Sequence, residues 1–207
     1  MPRETTRSKK KYTYSDYCSW GDEERWELIE GVPFDMTPAP LRVHSNIAMG
    51  ILKQLFPYFE GKPCEVHAAP FDVRLPRGNE TDGKVDTVVQ PDILVICDEK
   101  KLDEKGCRGA PDLVIEILSP STASKDAVLK RRIYEKHGVR EFWTVDPANR
   151  IVYLYSRNEA GEFGKPDTFG DSEIIKDPLF PGLEIDLKRV FPKLPPRVVK
   201  ESPRKSL

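Results

Sequence analysis

Apolar positions recur along this chain with two different periods, and the switches between them outline the elements. From 43 to 59, His44, Ile47, Ala48, Ile51, Leu52, Leu55 and Phe56 return every three or four residues. That spacing predicts an amphipathic helix with its stripe on a core, ended by Gly61 and Pro63. Residues 24–32, ERWELIEGV, instead predict a strand entering a turn. Strict alternation places Trp26, Leu28, Glu30 and Val32 on one face, and Pro33, Pro38 and Pro40 then break regular structure. Residues 64–75 predict another strand, followed by a polar connection over 76–87 with a turn at Asp82 and Gly83. Upstream, residues 12–22 begin like a helix, with Ser15 and Asp16 as caps.

Two short apolar runs each carry a carboxylate. Residues 111–118, PDLVIEIL, read as a strand in which Asp112, Val114 and Glu116 share one face and Leu113, Ile115 and Ile117 the other. So apolar a run fits an interior strand covered on both sides. An acid there is costly unless a cation, a donor or a metal meets it. Residues 90–96, QPDILVI, repeat the arrangement with Asp92 just past a proline. Two carboxylates brought by two strands to one apolar sheet point to a shared cation site.

Between these strands lies a charged link, 98–109. After the second, SPST at 119–122 breaks the strand and can cap a helix over 124–137 that Gly138 ends. On that helix Asp126, Lys130 and Tyr134 are spaced by four and line one face. Residues 141–145 and 151–155 predict a hairpin; a polar loop over 156–169 leads to a short segment near 173–175, and residues 178–191 close the fold.

Composition narrows the class. With 207 residues, 38% hydrophobic and 32% charged, the chain suits one soluble globular domain better than two. The expected organisation is a basic tail over 1–11, a domain over 12–192 and a proline-rich basic tail over 193–207. A net charge of -1 gives no overall field for a polyanion, so any nucleic-acid binding must rest on local patches. Cys18, Cys64, Cys97 and Cys107 show no paired spacing, and isolated thiols in a reducing compartment are expected. No apolar run reaches membrane-spanning length and the N-terminus lacks a signal-peptide core, so a cytoplasmic protein without membrane contact is expected.

Taken in order, WELIEG at 26–31, the His44 helix, QPDILVI at 90–96 and APDLVIEILSPST at 110–122 form a recognisable set. The Asp126/Lys130/Tyr134 helix, GVREFWTVDP at 138–147 and FPGLEIDL at 180–187 continue it. The set resembles the PD-(D/E)XK nuclease superfamily and, more closely, its Uma-two branch of predicted endonucleases. The resemblance implies an α/β, restriction-endonuclease-like core: a central mixed β-sheet flanked by helices in the order α-β-β-β-α-β. It implies a Mg²⁺- or Mn²⁺-dependent endonuclease that hydrolyses phosphodiester bonds of DNA. Asp92 and Glu116 would be the metal-binding carboxylates, with the Ile117 carbonyl completing the coordination. The usual motif has lysine two residues after the acid, where this chain has Leu118. Lys130 on the following helix is the expected substitute and Lys125 its rival. Glu30 matches an outer-sphere acid position and His44 a proton relay or metal neighbour.

Plainer roles stand beside these. Lys130 would serve as a solvated helix lysine paired to Asp126, Glu116 as a structural partner of Arg132 or Lys130, and Asp92 and Asp112 as turn residues. Tyr134 would simply pack, and His44 would be a core histidine. Two whole-protein alternatives follow. One is a nucleic-acid-binding module on a nuclease scaffold with weak or no catalysis. The other is a homo-oligomer, such as a homodimer, with Phe142 and Trp143 at its interface.

Overall fold

The computed structural model describes residues 10–21, 25–36, 41–119 and 123–192, apart from the side chains of 123–127. The tails, the segment 120–122, and the Lys125 and Asp126 side chains therefore lie outside the described residues. In chain order the elements are α1 (Tyr14–Tyr17), β1 (Trp26–Ile29), β2 (Val32–Asp35), α2 (Arg42–Phe59), β3 (Glu65–Ala68) and β4 (Val73–Arg74). Then come β5 (Val88–Val89), β6 (Ile93–Ile96), β7 (Leu102–Asp103), β8 (Gly106–Arg108), β9 (Leu113–Ile117) and α3 (Ala123–His137). The chain finishes through β10 (Glu141–Asp146), β11 (Ile151–Ser156), β12 (Asp167–Gly170), β13 (Ile174–Lys176) and β14 (Glu184–Asp186).

The central sheet has the order β12-β11-β10-β9-β6-β3. β9 is interior, antiparallel to β6 and parallel to β10. A parallel neighbour needs a crossover, and α3 is that crossover. The run α2-β3-β6-β9-α3-β10 reproduces the expected α-β-β-β-α-β order on a mixed sheet.

Alternation along β9 separates two cores. Leu113, Ile115 and Ile117 face one that is roofed by Ile47, Ile51 and Leu55 of α2 and closed by Ile185, Leu187 and Phe191. Gly50 allows this approach, since a Cβ there would stand 2.8 Å from the Arg189 oxygen. Val114 faces the other core, shared with Leu94, Ile96, Phe142, the α3 residues Ile133 and Tyr134, and a second sheet. That sheet has the order β2-β1-β5-β4-β8-β7. α3 ends as expected, with Gly138 at φ 90° donating to the Tyr134 carbonyl at 3.1 Å.

Several expectations are corrected. Residues 64–75 do not form one strand: β3 and β4 belong to different sheets, because the chain leaves the first after Ala68. Pro33 sits inside β2, an edge strand whose free side tolerates a missing N–H. The loop over 156–169 contains the start of β12, paired to β11 with Phe169 set against the core. Phe142 and Trp143 are each 0% exposed, so they pack inside the protein and cannot form an interface. Cys64 and Cys97 are joined in a disulfide, and only Cys18 and Cys107 are free. Long-range pairing of β3 with β6 brings those two together, and no spacing rule reports it. No helix among the described residues is long and apolar enough to cross a membrane.

One buried pair sits at the start of β10, away from Asp92 and Glu116. Glu141 Oε1 accepts from Trp143 Nε1 at 2.7 Å, and Asp177 Oδ1 accepts the Leu179 and Phe180 N–H groups at 2.8 and 2.7 Å. The remaining oxygens, Glu141 Oε2 and Asp177 Oδ2, are buried without a donor. A proton on Glu141 shared with Asp177 satisfies both. Burial and the neighbouring Asp177 charge push Glu141 up to about 9, and burial raises Asp177 as well. The folded state thus keeps a proton that the unfolded chain releases near pH 4.5, so this pair loses stabilising effect as pH rises from there to about 9. Thermal unfolding across that window should show wild type losing stability relative to Glu141→Gln by up to about 1.4 kcal/mol per pH unit. Parallel profiles for the two proteins would contradict the shared proton.

Candidate active site

The site grows from the register of two strands. Ile93 of β6 pairs with Ile115 of β9. One residue further, Asp92 stands opposite Glu116, on the face that Leu94 and Val114 share. Asp92 Oδ2 accepts the Ile117 N–H at 2.7 Å and meets His44 Nε2 at 3.1 Å. His44 is delivered by the first turn of α2, whose apolar stripe pins that helix across the sheet.

From the other side α3 reaches the same point. Lys130 and Tyr134, one turn apart, both address Glu116 Oε1: the Lys130 Nζ at 3.1 Å and the Tyr134 hydroxyl, which donates, at 2.5 Å. Lys130 also forms a close ion pair with Glu27 Oε1. Glu27, on β1, is 1% exposed and accepts the Gln90 N–H at 2.8 Å through the same oxygen. Gln90 is fixed in turn, because its side-chain amide bonds Asp72 at 2.9 Å and Arg25 at 2.7 Å. Among the described residues, the contacts to these three carboxylates fall on Asp92 Oδ2, Glu116 Oε1 and Glu27 Oε1.

Charge in this pocket is unevenly matched. Burial works against the charged form of Lys130, but the Glu116 and Glu27 carboxylates raise it above the ordinary lysine value and hold it protonated. Burial pushes Glu116 up to about 7; Lys130 opposes this, while Asp92 and Glu27 add to it. Burial also raises Tyr134, and the Glu116 charge adds to it, so its hydroxyl stays a donor. Burial works against the charged form of His44, yet the Asp92 hydrogen bond and the charges of Asp92 and Glu116 raise it overall. Three carboxylates thus gather around one lysine and one histidine, and a divalent cation is the kind of ligand that excess negative charge would take.

The expected residues are brought together in part. Asp92, Glu116, Lys130 and His44 converge, and Lys130 is a 9%-exposed ion-pair partner rather than a solvated helix lysine. Ile117 meets Asp92 through its N–H. Lys125 lies outside the described side chains. Glu30 does not join the cluster. It occupies the turn after β1 at φ 49°, its side chain is 47% exposed, and it pairs with Lys136 and Arg77. Glu27, which sequence reasoning passed over, takes the inner place. The strand ends at Ile29, and Ile29 faces the core beside Tyr134. Glu27 shares that face by alternation, and the signal was an acid two residues before an inward isoleucine. Asp112 serves structure: it accepts the Cys97 N–H at 2.9 Å and binds Arg140 at 3.0 Å. Among the described residues no three His, Cys, Asp or Glu side chains form a ready metal cage. The Asp92–Glu116 pair instead suits a hard cation that keeps several waters.

Comparison with known proteins follows the same line. The model of the Uma2 family, described as "Putative restriction endonuclease", matches residues 12–188. An uncharacterised protein of Synechocystis is 23% identical over 156 residues, covering 74% of this chain and 78% of its own length. A crystal structure from Anabaena variabilis, described as a "putative nuclease" of the DUF820 group, aligns with a TM-score of 0.68. That alignment covers 86% of this chain and 97% of the other at 22% identity, which establishes a common fold.

The two glutamates of the β1 hairpin should separate cleanly on mutation. Glu27→Ala strips a buried lysine of one partner and orphans the Gln90 N–H, a loss of about 3 kcal/mol in urea unfolding. Glu30→Ala removes only exposed pairs and should cost at most about 1 kcal/mol. Equal costs would show that Glu27 does not hold Lys130.

Proposed function

Because the chain belongs to the Uma2 family, we propose that it is an endonuclease hydrolysing phosphodiester bonds of DNA with a divalent cation, Mg²⁺ or Mn²⁺. One observation carries this reading: Asp92, one residue before β6, stands opposite Glu116 of the neighbouring β9, with Lys130 fixed against Glu116. Asp92 Oδ1 and Glu116 Oε2, which the contacts among the described residues leave open, would hold the cation, with the Ile117 carbonyl as a further ligand. When bound, the cation would neutralise charge developing on the phosphate and lower the pKa of a water.

The chain's own residues divide the remaining work. Lys130 presents an ammonium group beside Glu116, where it would orient the attacking water and meet negative charge on the phosphate. Supply of the lysine from α3 answers the Leu118 at the usual motif position. Glu27 fixes the ammonium, Tyr134 fixes the Glu116 carboxylate, and His44 with the Ile117 N–H fixes Asp92. These supports keep the reacting groups from rotating away, which is where much of such a site's effect originates. Glu30 has no place in this arrangement.

The test is cleavage of supercoiled and linear DNA by purified protein. Nicking or cutting should require Mg²⁺ or Mn²⁺, stop with a chelator, and fall by about 10²-fold or more in Glu116→Ala and Lys130→Ala. Circular dichroism should show both variants folded, since each leaves a buried ion pair or hydrogen bond in place. Cleavage that survives the chelator or Glu116→Ala would overturn the reading. So would DNA binding without any metal-dependent cleavage, which would assign the chain to the non-catalytic binding modules.

A further inference from the structure

The Cys64–Cys97 disulfide joins two strands that are already paired. β3 runs antiparallel to β6 with Glu65 opposite Ile96 and Ala68 opposite Ile93. Carried one residue outward at each end, the same register sets Cys64 opposite Cys97 and Ala69 opposite Asp92. Both outer contacts form: the disulfide at one end, and the Ala69 N–H donating to the Asp92 carbonyl at 3.1 Å at the other. β3 is an edge strand of four residues with β6 as its neighbour in the sheet, and its Glu65 and Ala68 are exposed. So short an edge, packed on one side, depends heavily on its two end contacts. One of them holds the backbone of the carboxylate on which the site is built.

Cys64 and Cys97 are both half-buried, and Cys64 borders open space. A cavity of about 540 Å³ opens between the end of α2 and β3, lined by Phe56, Pro57, Phe59, Glu60, Cys64 and Val66 among others. Cys97 does not line it. Cys107, by contrast, is fully buried, and burial pushes its thiol up to about 12, so it takes no part in exchange.

We propose that Cys64–Cys97 is a reversible thiol–disulfide exchange site, reduced by a dithiol that enters this cavity, and that its reduction frees β3 and loosens the seat of Asp92. A thiolate attacks Cys64 Sγ, the S–S bond breaks, and its electron pair leaves on Cys97, which takes a proton from water. The second thiol then attacks the mixed disulfide, releasing Cys64 as a thiol. Two electrons and two protons have passed to the protein, and the dithiol has become a disulfide. The consequence for Asp92 bears on catalysis only through the function proposed above; the exchange chemistry stands apart from it.

The experiment uses full-length protein purified without reductant. Iodoacetamide under native conditions, read by mass spectrometry, should label Cys18 but not Cys64 or Cys97. After dithiothreitol without denaturant, Cys64 and Cys97 should both label while Cys107 stays protected. Reduced glutathione should leave its adduct on Cys64, with Cys97 free. Hydrogen exchange at the Ala69 amide should quicken by about tenfold or more on reduction, with Val114 and Ile115 unchanged. Cys64→Ser/Cys97→Ser should show the reduced pattern without any thiol added. Labelling of both cysteines before reduction, a bond that yields only in denaturant, an adduct on Cys97, or unchanged exchange at Ala69 would each overturn the proposal. None of these results depends on DNA cleavage, so a protein that exchanges thiols but cuts nothing would fail the nuclease reading alone.

Discussion

A protonated amine inside a protein must be met by carboxylates, and Lys130 is met by two. The ammonium lies between Glu27 of β1 and Glu116 of β9, with β1 in one sheet and β9 in the other. This ties three elements at a single charged point: the crossover helix, the interior strand and a strand of the covering sheet. Breaking either pair would leave a buried charge short of a partner, which costs several kcal/mol in comparable settings. The arrangement is therefore held in place as much by the penalty of dismantling it as by its own attraction.

Topology explains why the lysine comes from a helix. β9 and β10 are parallel, so the chain between them must cross over, and α3 packs Ile133 and Tyr134 onto the Val114 face. Lys130 and Tyr134, a turn apart, then fall above the Glu116 side chain. The same alternation that buries Leu113 and Ile115 under α2 turns Glu116 toward α3. Asp92 follows because the β6 register leaves no other residue opposite Glu116. Local pattern, pairing and crossover all converge on one end of the sheet.

Much of this could be read from residues alone. Period-two alternation in PDLVIEIL identified the interior strand and the face of Glu116. The three-and-four spacing identified α2 and α3, and the ordered motifs placed Asp92, His44 and Lys130 together. Failures came where long-range contact decides. Glu27 lies inside a short strand and Glu30 in the turn after it, and only packing of Ile29 against the core shows which acid faces inward. The Cys64–Cys97 bond joins residues 33 apart and depends on the pairing of β3 with β6. β12 is a strand because β11 offers an edge; of its four residues Thr168 and Phe169 favour one and Asp167 and Gly170 do not. Phe142 and Trp143, two adjacent aromatics, face opposite sides of an interior strand, and both sides are covered.

The claim on which the account turns is that Asp92 and Glu116 share one divalent cation beside Lys130. A crystal soaked in Mn²⁺ and measured for anomalous scattering addresses it without reference to any substrate. The account predicts a single strong peak within coordination distance of one oxygen from each carboxylate, with the Lys130 ion pair to Glu27 intact. A peak seated elsewhere, or none between the two acids at saturating Mn²⁺, would contradict it.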